Sequence, residues 1–295
     1  SKLDDYIDYF YGCLTPSTGY ITMFDIQPHN GGFLLRVPNR DNPIELEPEV
    51  YQEKLLNVYR EHLNFLKIIE LDNVGDLNRA IKEDKVYEVI QVAEAYQSMQ
   101  INDIASEIAK RFNDGVRVVF ISGPSSSGKT TFRKRLEVQL RVNLLKPVGI
   151  SLDDYFIDRD KTPLDEHGEK DYESLYALDL ELFESHMLKL MKGEKVELPF
   201  YNFATGMSEY RGKFLKMDEN SVLIIEGIHG LNPELSSHIP PENKFLIYVS
   251  ALTTISLDDH NWIPASDNRL IRRIVRDYTY RGYSAQQTIA RWDSV

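Results

Sequence analysis

The pattern of hydrophobic and polar positions changes character near residue 112. Before that point, β-favouring residues alternate with polar ones over residues 18–38, around a central His-Asn-Gly-Gly sequence, which predicts a small antiparallel hairpin. Apolar residues then recur at helical spacing over residues 48–70 and 85–112, which predicts two helices. We therefore expect residues 1–112 to form a smaller α+β N-terminal domain.

Residues 113–295 carry short, largely apolar runs without clear alternation, which are typical of strands buried on both faces of a parallel sheet. These runs lie at residues 116–122, 147–152, 221–227 and 244–250. Helical patterns at 130–145 and 178–192 separate them, and a third at 267–281 follows the last run. The alternation predicts an α/β fold with a mostly parallel sheet flanked by helices.

Composition and charge narrow the class of protein. Hydrophobic residues make up 42% of the 295 residues and charged residues 27%, which indicates a globular chain with a sizeable core. The formal net charge of −12 repels nucleic acid and anionic membranes, so an anionic ligand needs a local site. One cysteine, Cys13, excludes an intrachain disulfide and fits a reducing compartment. No apolar run is long enough to span a membrane, and we expect a cytoplasmic protein.

The loop after the first apolar run matches the phosphate-binding pattern G-x-x-x-x-G-K-[ST] at every fixed position. It consists of Gly123, Pro124, Ser125, Ser126, Ser127, Gly128, Lys129 and Thr130, followed by Thr131. Backbone N–H groups of such a loop surround phosphate oxygens, Lys129 reaches the β and γ oxygens, and the Thr130 hydroxyl can coordinate Mg²⁺. The loop predicts an ATP site, and a flexible Gly/Ser loop is the alternative.

Carboxylates follow two more of the predicted strands. Asp153 and Asp154 come after the second strand, at the edge where open α/β sheets bind ligands. Asp153 can orient or deprotonate an acceptor hydroxyl and lie near the metal. The alternative for both residues is that the carboxylate caps the turn that follows, and we favour this role for Asp154 only. Glu226 ends the third strand after four apolar residues, as in a Walker B motif, and a strand-end carboxylate bound by backbone amides is its alternative.

The helical pattern at 267–281 carries a basic stripe on one face. Its members lie three or four residues apart: Arg269, Arg272, Arg273 and Arg276. Asp277 is the only acidic residue between Arg269 and Arg281, where the basic segment ends. A stripe of this kind is usually a solvated face, but here we favour a lid that closes over phosphates.

In this order, GPSSSGKTT, SLDDYF, LPFYNF, LIIEGIHG and RLIRRIVRDYTYRG resemble the uridine kinase branch of the phosphoribulokinase/uridine kinase family, over residues 116–292. The resemblance implies a P-loop kinase that uses ATP and Mg²⁺. It also implies transfer of the γ-phosphoryl group of ATP to the 5′-hydroxyl of a nucleoside such as uridine or cytidine, or to a similar small acceptor. The catalytic residues that it implies are Asp153, Lys129, Arg276 and Arg281. The implied metal ligands are Thr130, Glu226 and Asp153. The implied substrate-binding residues are Asp153, Tyr155, Glu173, Tyr201, Phe203 and Arg273.

The acceptor side departs from the family pattern. Glu173 replaces an Asp that holds the ribose hydroxyls, and no histidine follows Phe203, where pyrimidine kinases have one against the base. Tyr283 replaces an arginine after the lid, and residues 256–268 are an insertion. We therefore expect a nucleoside acceptor with a looser or shifted base preference. Because the family continues with a further strand and helix, we also expect the kinase-like domain, residues 113–295, to be truncated at its C-terminus.

Residues 11–39 resemble, more weakly, the editing-type domain of threonyl-tRNA synthetases. The metal motifs H-x-x-x-H and C-x-x-x-H of that domain are absent, so hydrolytic or zinc chemistry in residues 1–112 is not expected. Two alternatives remain: another small-molecule kinase of this fold, or an ATP-sensing regulatory module whose N-terminal domain binds RNA or protein. Asp153 disfavours the sensor, which needs no acceptor-side carboxylate. We expect no membrane partner and, for the kinase-like domain, no nucleic acid; a homo-oligomer is left open.

Overall fold

The computed structural model describes residues 2–3, 5–7, 13–29 and 31–292, and of Arg281 and residues 2, 3 and 6 only the backbone. The chain forms two compact units, Ser1–Val58 and Tyr59–Val295. Asn30, in the turn of the predicted hairpin, lies outside the described residues. Among the described residues, no helix is both long and apolar enough to cross a membrane.

The first unit contains two pairs of antiparallel strands. The strands are β1 (Lys2–Leu3), β2 (Tyr6–Ile7), β3 (Asp25–His29) and β4 (Gly32–Arg36). β3 pairs with β4 from Asp25 opposite Arg36 to His29 opposite Gly32, which confirms the predicted hairpin. An ion pair of 3.2 Å between the Arg36 guanidinium and the Asp25 carboxylate closes the open end of this hairpin.

Three helices precede the central sheet: α1 (Glu53–Ile68), α2 (Val74–Lys82) and α3 (Val86–Asn113). A reciprocal capping box between Asn73 and Asp76 fixes the start of α2, which the sequence analysis did not predict. The buried face of α3, from Ile101 to Phe112, packs in the same core as the central sheet. The compact units therefore divide at a different place from the predicted boundary near residue 112.

The remaining strands are β5 (Val118–Ser122), β6 (Lys146–Ser151), β7 (Val196–Asn202), β8 (Met207–Leu215), β9 (Ser221–Glu226) and β10 (Lys244–Tyr248). The remaining helices are α4 (Lys129–Val142), α5 (Leu180–Met191), α6 (Ala265–Arg281) and α7 (Ala285–Ile289). Four of the strands form a parallel sheet in the order β10-β5-β9-β6, which confirms the predicted α/β fold. β7 and β8 form a separate antiparallel hairpin.

Each central strand buries residues on both faces of the sheet. On β9, Leu223 and Ile225 pack in one cluster with α5 and β7, whereas Val222 and Ile224 pack in the other with α3 and α4. Because successive side chains of a strand point to opposite faces, an unbroken apolar run is what such a strand requires. The two hydrophobic clusters therefore hold the strand ends at fixed positions.

The central strand gives a stability prediction. Leu223→Ala should lower the free energy of unfolding by about 2 kcal/mol or more, because Leu223 is fully buried and its removal leaves a cavity. Leu246→Ala, in the edge strand β10, is the matched control, since Leu246 is 52% exposed. Urea unfolding followed by circular dichroism measures both. Equal shifts in the two variants would contradict this description of the core.

Candidate active site

Three neighbouring strands carry the predicted functional residues to one edge of the central sheet. β9 lies between β5 and β6, and Glu226 at its end is in register with Ile121 of β5 and Ser151 of β6. The phosphate-binding loop follows β5, and Asp153 lies in a short 3₁₀ helix, Leu152–Tyr155, that follows β6. The strand order thus brings together the loop, Glu226 and Asp153, as the sequence analysis predicts.

The phosphate-binding loop has the backbone shape that this motif requires. Gly128, with φ of +97°, is the N-cap of α4, so the positive end of that helix faces the loop. At Gly123, φ is +156° and a Cβ would lie 2.2 Å from the Val249 carbonyl oxygen, so only glycine fits there. The Lys129 ammonium donates to the carbonyls of Gly123 at 2.8 Å and Pro124 at 3.2 Å, which holds it across the loop.

Thr130 and Glu226 form the second element of the site. The Thr130 hydroxyl donates to the two carboxylate oxygens of Glu226 at 2.9 and 3.2 Å. Glu226 is 4% exposed, and burial raises the pKa of its carboxyl, while the Thr130 hydrogen bond and the Arg133 guanidinium, 3.4 Å away, lower it. A strand-end carboxylate bound only by backbone amides, the alternative interpretation, does not describe this geometry.

The oxygens of Thr130 and Glu226 fit the donor set of Mg²⁺. Hydroxyl and carboxylate oxygens are its preferred ligands, and it is commonly held by one or two carboxylates together with substrate phosphates. Within the described residues, no group of three or more His, Cys, Asp or Glu side chains could bind a metal alone. A metal at this place therefore needs oxygens from the nucleotide as well.

Charges of opposite sign act on one another across the site. Burial lowers the pKa of Lys129, and the negative charges of Asp153, Glu226 and Glu173 raise it. Burial raises the pKa of Glu173, and the positive charges of Arg273 and Lys129 lower it. Asp153, Glu173 and Glu226 thus lie within electrostatic reach of Lys129, so the structure brings these predicted site residues near one another.

The basic stripe of α6 rests on the phosphate-binding loop. Arg269 Nε donates to the Ser125 carbonyl at 3.0 Å, Arg272 Nε donates to the Ser126 carbonyl at 3.2 Å, and Arg273 Nη1 donates to Ser125 Oγ at 3.1 Å. The alternative of a stripe that faces only solvent is therefore wrong. These contacts place the helix where the predicted lid should lie.

The structure describes the side chain of only one of the two remaining arginines of the predicted lid, Arg276 and Arg281. Arg276 forms an ion pair of 2.8 Å with the buried Asp277 carboxylate, and its positive charge is close enough to lower the pKa of Lys129. The side chain of Arg281 lies outside the described part of the structure, and its predicted catalytic role stays a prediction.

An aromatic cluster lies on the acceptor side. The rings of Phe156, Tyr201 and Phe203 have centroids 5.0 to 6.4 Å apart. Tyr201 is almost fully buried, whereas Phe203 is 54% exposed. The backbone N–H of Tyr201 bonds to the Asp154 carboxylate, which connects the hairpin to the segment that carries Asp153. Asp154 thus has a structural role.

Tyr155 does not lie at the acceptor site. It is 1% exposed, its hydroxyl bonds to His186 Nδ1 at 3.0 Å, and its ring packs edge-on against Phe183. The expectation that Tyr155 contacts the substrate needs correction, because its side chain points into the core. Its neighbour Phe156 joins the aromatic cluster instead.

Sequence reasoning missed three residues around the site. Phe156 belongs to the aromatic cluster, Arg159 bonds to the turn of the β7–β8 hairpin, and the half-buried ring of His229 lies near the backbone of Glu173 and Ser174. His229 follows the Glu226-Gly227 pair in the sequence, so its proximity to that motif was a usable signal. No comparable sequence motif lies next to Arg159.

Comparison with known proteins agrees with this geometry. The sequence pattern of the Phosphoribulokinase / Uridine kinase family matches residues 118–295, more than half of the chain. The chain belongs to this family. It is an ATP-dependent kinase of a nucleoside or another small molecule.

Individual relatives of this kinase are named uridine kinases. One from Ligilactobacillus salivarius is 30% identical over 189 residues, which are 63% of this chain and 78% of that one. Another, from Brevibacillus brevis, is 26% identical over 60% of this chain and 74% of its own. A solved structure from Silicibacter sp., described as a fructose transport system kinase, has a TM-score of 0.50 at 20% identity and covers 65% of this chain and 88% of its own, which supports the fold alone. The editing-domain resemblance of the N-terminal region stays a prediction.

Lys129 gives a binding prediction for this kinase. Lys129→Ala should weaken ATP binding by about tenfold or more, because a charged hydrogen-bond donor to the phosphates is lost. Lys134→Ala, on the exposed face of the same helix α4, is the matched control and should bind ATP as the parent chain does. Isothermal titration calorimetry measures both affinities. ATP affinity that is unchanged in Lys129→Ala would contradict the assignment of the loop.

Proposed function

We propose that this kinase transfers the γ-phosphoryl group of ATP to the 5′-hydroxyl of a uridine- or cytidine-like nucleoside. The observation that carries the proposal is the arrangement at the sheet edge, where a complete phosphate-binding loop lies beside Asp153 and an aromatic cluster with one exposed face follows on the acceptor side. Phosphoryl transfer requires these parts in this order: a phosphate cradle, a group for the attacking hydroxyl and a surface for the acceptor.

We assign the binding of the ATP phosphates to the phosphate-binding loop, to Lys129 and to the predicted lid, helix α6. Backbone N–H groups at the start of α4 bind phosphate oxygens, and Lys129 exchanges its carbonyl partners for the β and γ oxygens. Arg273 and Arg276 add positive charge at the γ-phosphoryl group, where negative charge accumulates in the transition state. Their electrostatic contacts with Glu173 and Lys129 support this role.

Thr130, Glu226 and Asp153 would hold Mg²⁺ together with the nucleotide phosphates. When bound, the ion would supply positive charge that offsets the negative charge developing on the phosphate oxygens. The Thr130–Glu226 hydrogen bond keeps both oxygens at one place beside the loop. Arg133, whose Nε lies 3.4 Å from Glu226 Oε1, adds a positive charge beside that carboxylate.

Asp153 acts on the attacking hydroxyl. Its carboxylate accepts the proton of the 5′-hydroxyl as the oxygen forms a bond to the γ phosphorus, and the bond between that phosphorus and the β,γ-bridging oxygen breaks to leave ADP. The negative charge of Asp153 acts on Lys129, Glu226 and Glu173, which supports a position between the phosphates and the acceptor.

Glu173 and the aromatic cluster bind the nucleoside. Glu173 offers carboxylate oxygens to ribose hydroxyls, and its charge acts on Lys129 and Arg273 beside the phosphates. Phe203 provides a flat, half-exposed face on which a base stacks, held in place by Tyr201 and Phe156. A flat base suits this surface better than an aliphatic acceptor does.

Asp153 and Asp154 make a matched pair for testing the proposal. Asp153→Asn should lower kcat by roughly 100-fold or more with ATP affinity unchanged, because the proton acceptor is lost and the phosphate contacts stay. Asp154→Asn keeps an oxygen that accepts the Tyr201 N–H and should retain most of the activity. Steady-state kinetics with MgATP and uridine, supported by calorimetry with ATP, measure these effects.

The acceptor panel for this experiment includes uridine, cytidine, pantothenate, ribulose 5-phosphate and glycerate. Turnover with a nucleoside and with none of the other compounds supports the proposal. Turnover only with a compound that lacks a base would favour another small-molecule kinase, and ATP binding without turnover on any acceptor would favour a regulatory module. A larger loss of kcat in Asp154→Asn than in Asp153→Asn would contradict the role of Asp153.

A further inference from the structure

Arg159 binds the turn of the β7–β8 hairpin at the edge of the aromatic cluster. Its Nη2 donates to the Phe203 carbonyl at 2.7 Å, and its side chain also bonds to the Tyr201 hydroxyl. The turn lacks a histidine after Phe203 and has Ala204, Thr205 and Gly206 instead. A guanidinium from another segment of the chain thus lies beside the two aromatic residues of the hairpin.

Gly206 makes the space that the guanidinium occupies. Its φ is +75°, and a Cβ at this position would lie 2.7 Å from Arg159 Nε and 2.8 Å from Arg159 Cζ. Any side chain here would displace Arg159 from the turn. The hairpin is therefore shaped to accept Arg159 at this place.

The Arg159 guanidinium has further N–H groups and a positive charge with which it can bind a ligand. Of its five N–H groups, the bonds to Phe203 and Tyr201 use two. In the described part of the chain, no carboxylate lies within ion-pair distance of Arg159, which is an exposed residue. Its remaining donors can therefore bind an acceptor atom of a base that stacks on Phe203.

The attachment of the hairpin does not depend on the guanidinium. The backbone N–H of Arg159 donates to the Gly206 carbonyl at 2.8 Å, and the Asp158 carboxylate accepts the Ser208 N–H at 3.1 Å. Both bonds persist when only the end of the Arg159 side chain is replaced. The three side-chain donors that remain are thus available for recognition rather than needed for the fold.

We propose that Arg159 determines base specificity by donating a hydrogen bond to a carbonyl oxygen at the far edge of the base, at position 4 of a pyrimidine or position 6 of a purine. The proposal rests on the proposed nucleoside kinase activity. A base that stacks on Phe203 lies beside this guanidinium, because Arg159 Nη2 is 2.7 Å from the Phe203 carbonyl oxygen. Arginine only donates, so it binds a carbonyl and opposes an amino group. The kinase therefore prefers uridine to cytidine and inosine to adenosine.

The test compares kcat/KM for uridine, cytidine, inosine and adenosine in the 295-residue chain and three variants. The parent chain should favour uridine over cytidine by about tenfold or more, the order expected for one charged hydrogen bond. Arg159→Gln should bring this ratio close to one, mainly through a higher KM for uridine, and Arg159→Lys should restore part of it. Arg211→Gln is the matched control, because Arg211 lies on the same hairpin but stacks on Phe200, outside the cluster. It should leave the ratio unchanged.

Three results would overturn the inference. One is a parent chain without preference for the carbonyl-bearing bases. Another is an Arg159→Gln variant whose kcat/KM falls equally for all four nucleosides, since that is the effect of a purely structural contact. A third is an equal change of the ratio in Arg211→Gln. Turnover of none of the four nucleosides would instead overturn the proposed function, and this inference with it.

Discussion

Three adjacent parallel strands end side by side at one edge of the central sheet, and the positions of Thr130, Glu226 and Asp153 depend on that alignment. Thr130 and Glu226 are separated by 96 residues in the chain, yet their side chains are 2.9 Å apart because β5 and β9 are neighbours in register. Asp153 reaches the same edge from β6, on the other side of β9. The two hydrophobic clusters that cover the sheet fix these strand ends. The positions of the site residues therefore depend on the packing of the core.

Burial at this edge makes each charge dependent on the others. Desolvation lowers the pKa of Lys129 and raises those of Glu173 and Glu226, so each group alone would tend toward its neutral form. Their opposite charges offset that tendency, and the arginines of α6 extend the arrangement over the phosphate-binding loop. A site of this kind stabilises negative charge on a transferring phosphoryl group without large rearrangement, because its dipoles and charges are already oriented.

Short sequence patterns were sufficient to predict the structural elements around the phosphate-binding loop. The loop motif, the apolar strands and the arginine spacing of α6 each depend on residues that are close in sequence, and the structure has all three. The acceptor side depends on contacts between distant segments. The sequence could not show that Arg159 meets the hairpin 44 residues later, or that the 3₁₀ turn after β6 turns Tyr155 inward and leaves Phe156 at the cluster. The packing of α3 is a further contact of this kind, since residues from Ile101 to Phe112 share a hydrophobic cluster with the sheet.

The central claim is that the loop, Asp153 and the aromatic cluster form one site for phosphoryl transfer to a nucleoside. Phosphorus NMR of the chain with MgATP and uridine tests it most directly, because it identifies the product as well as the turnover. The account predicts equal amounts of ADP and uridine 5′-monophosphate, and neither product in a reaction without the enzyme. Release of inorganic phosphate in place of the nucleotide, or a phosphate ester at the 2′ or 3′ position, would contradict it.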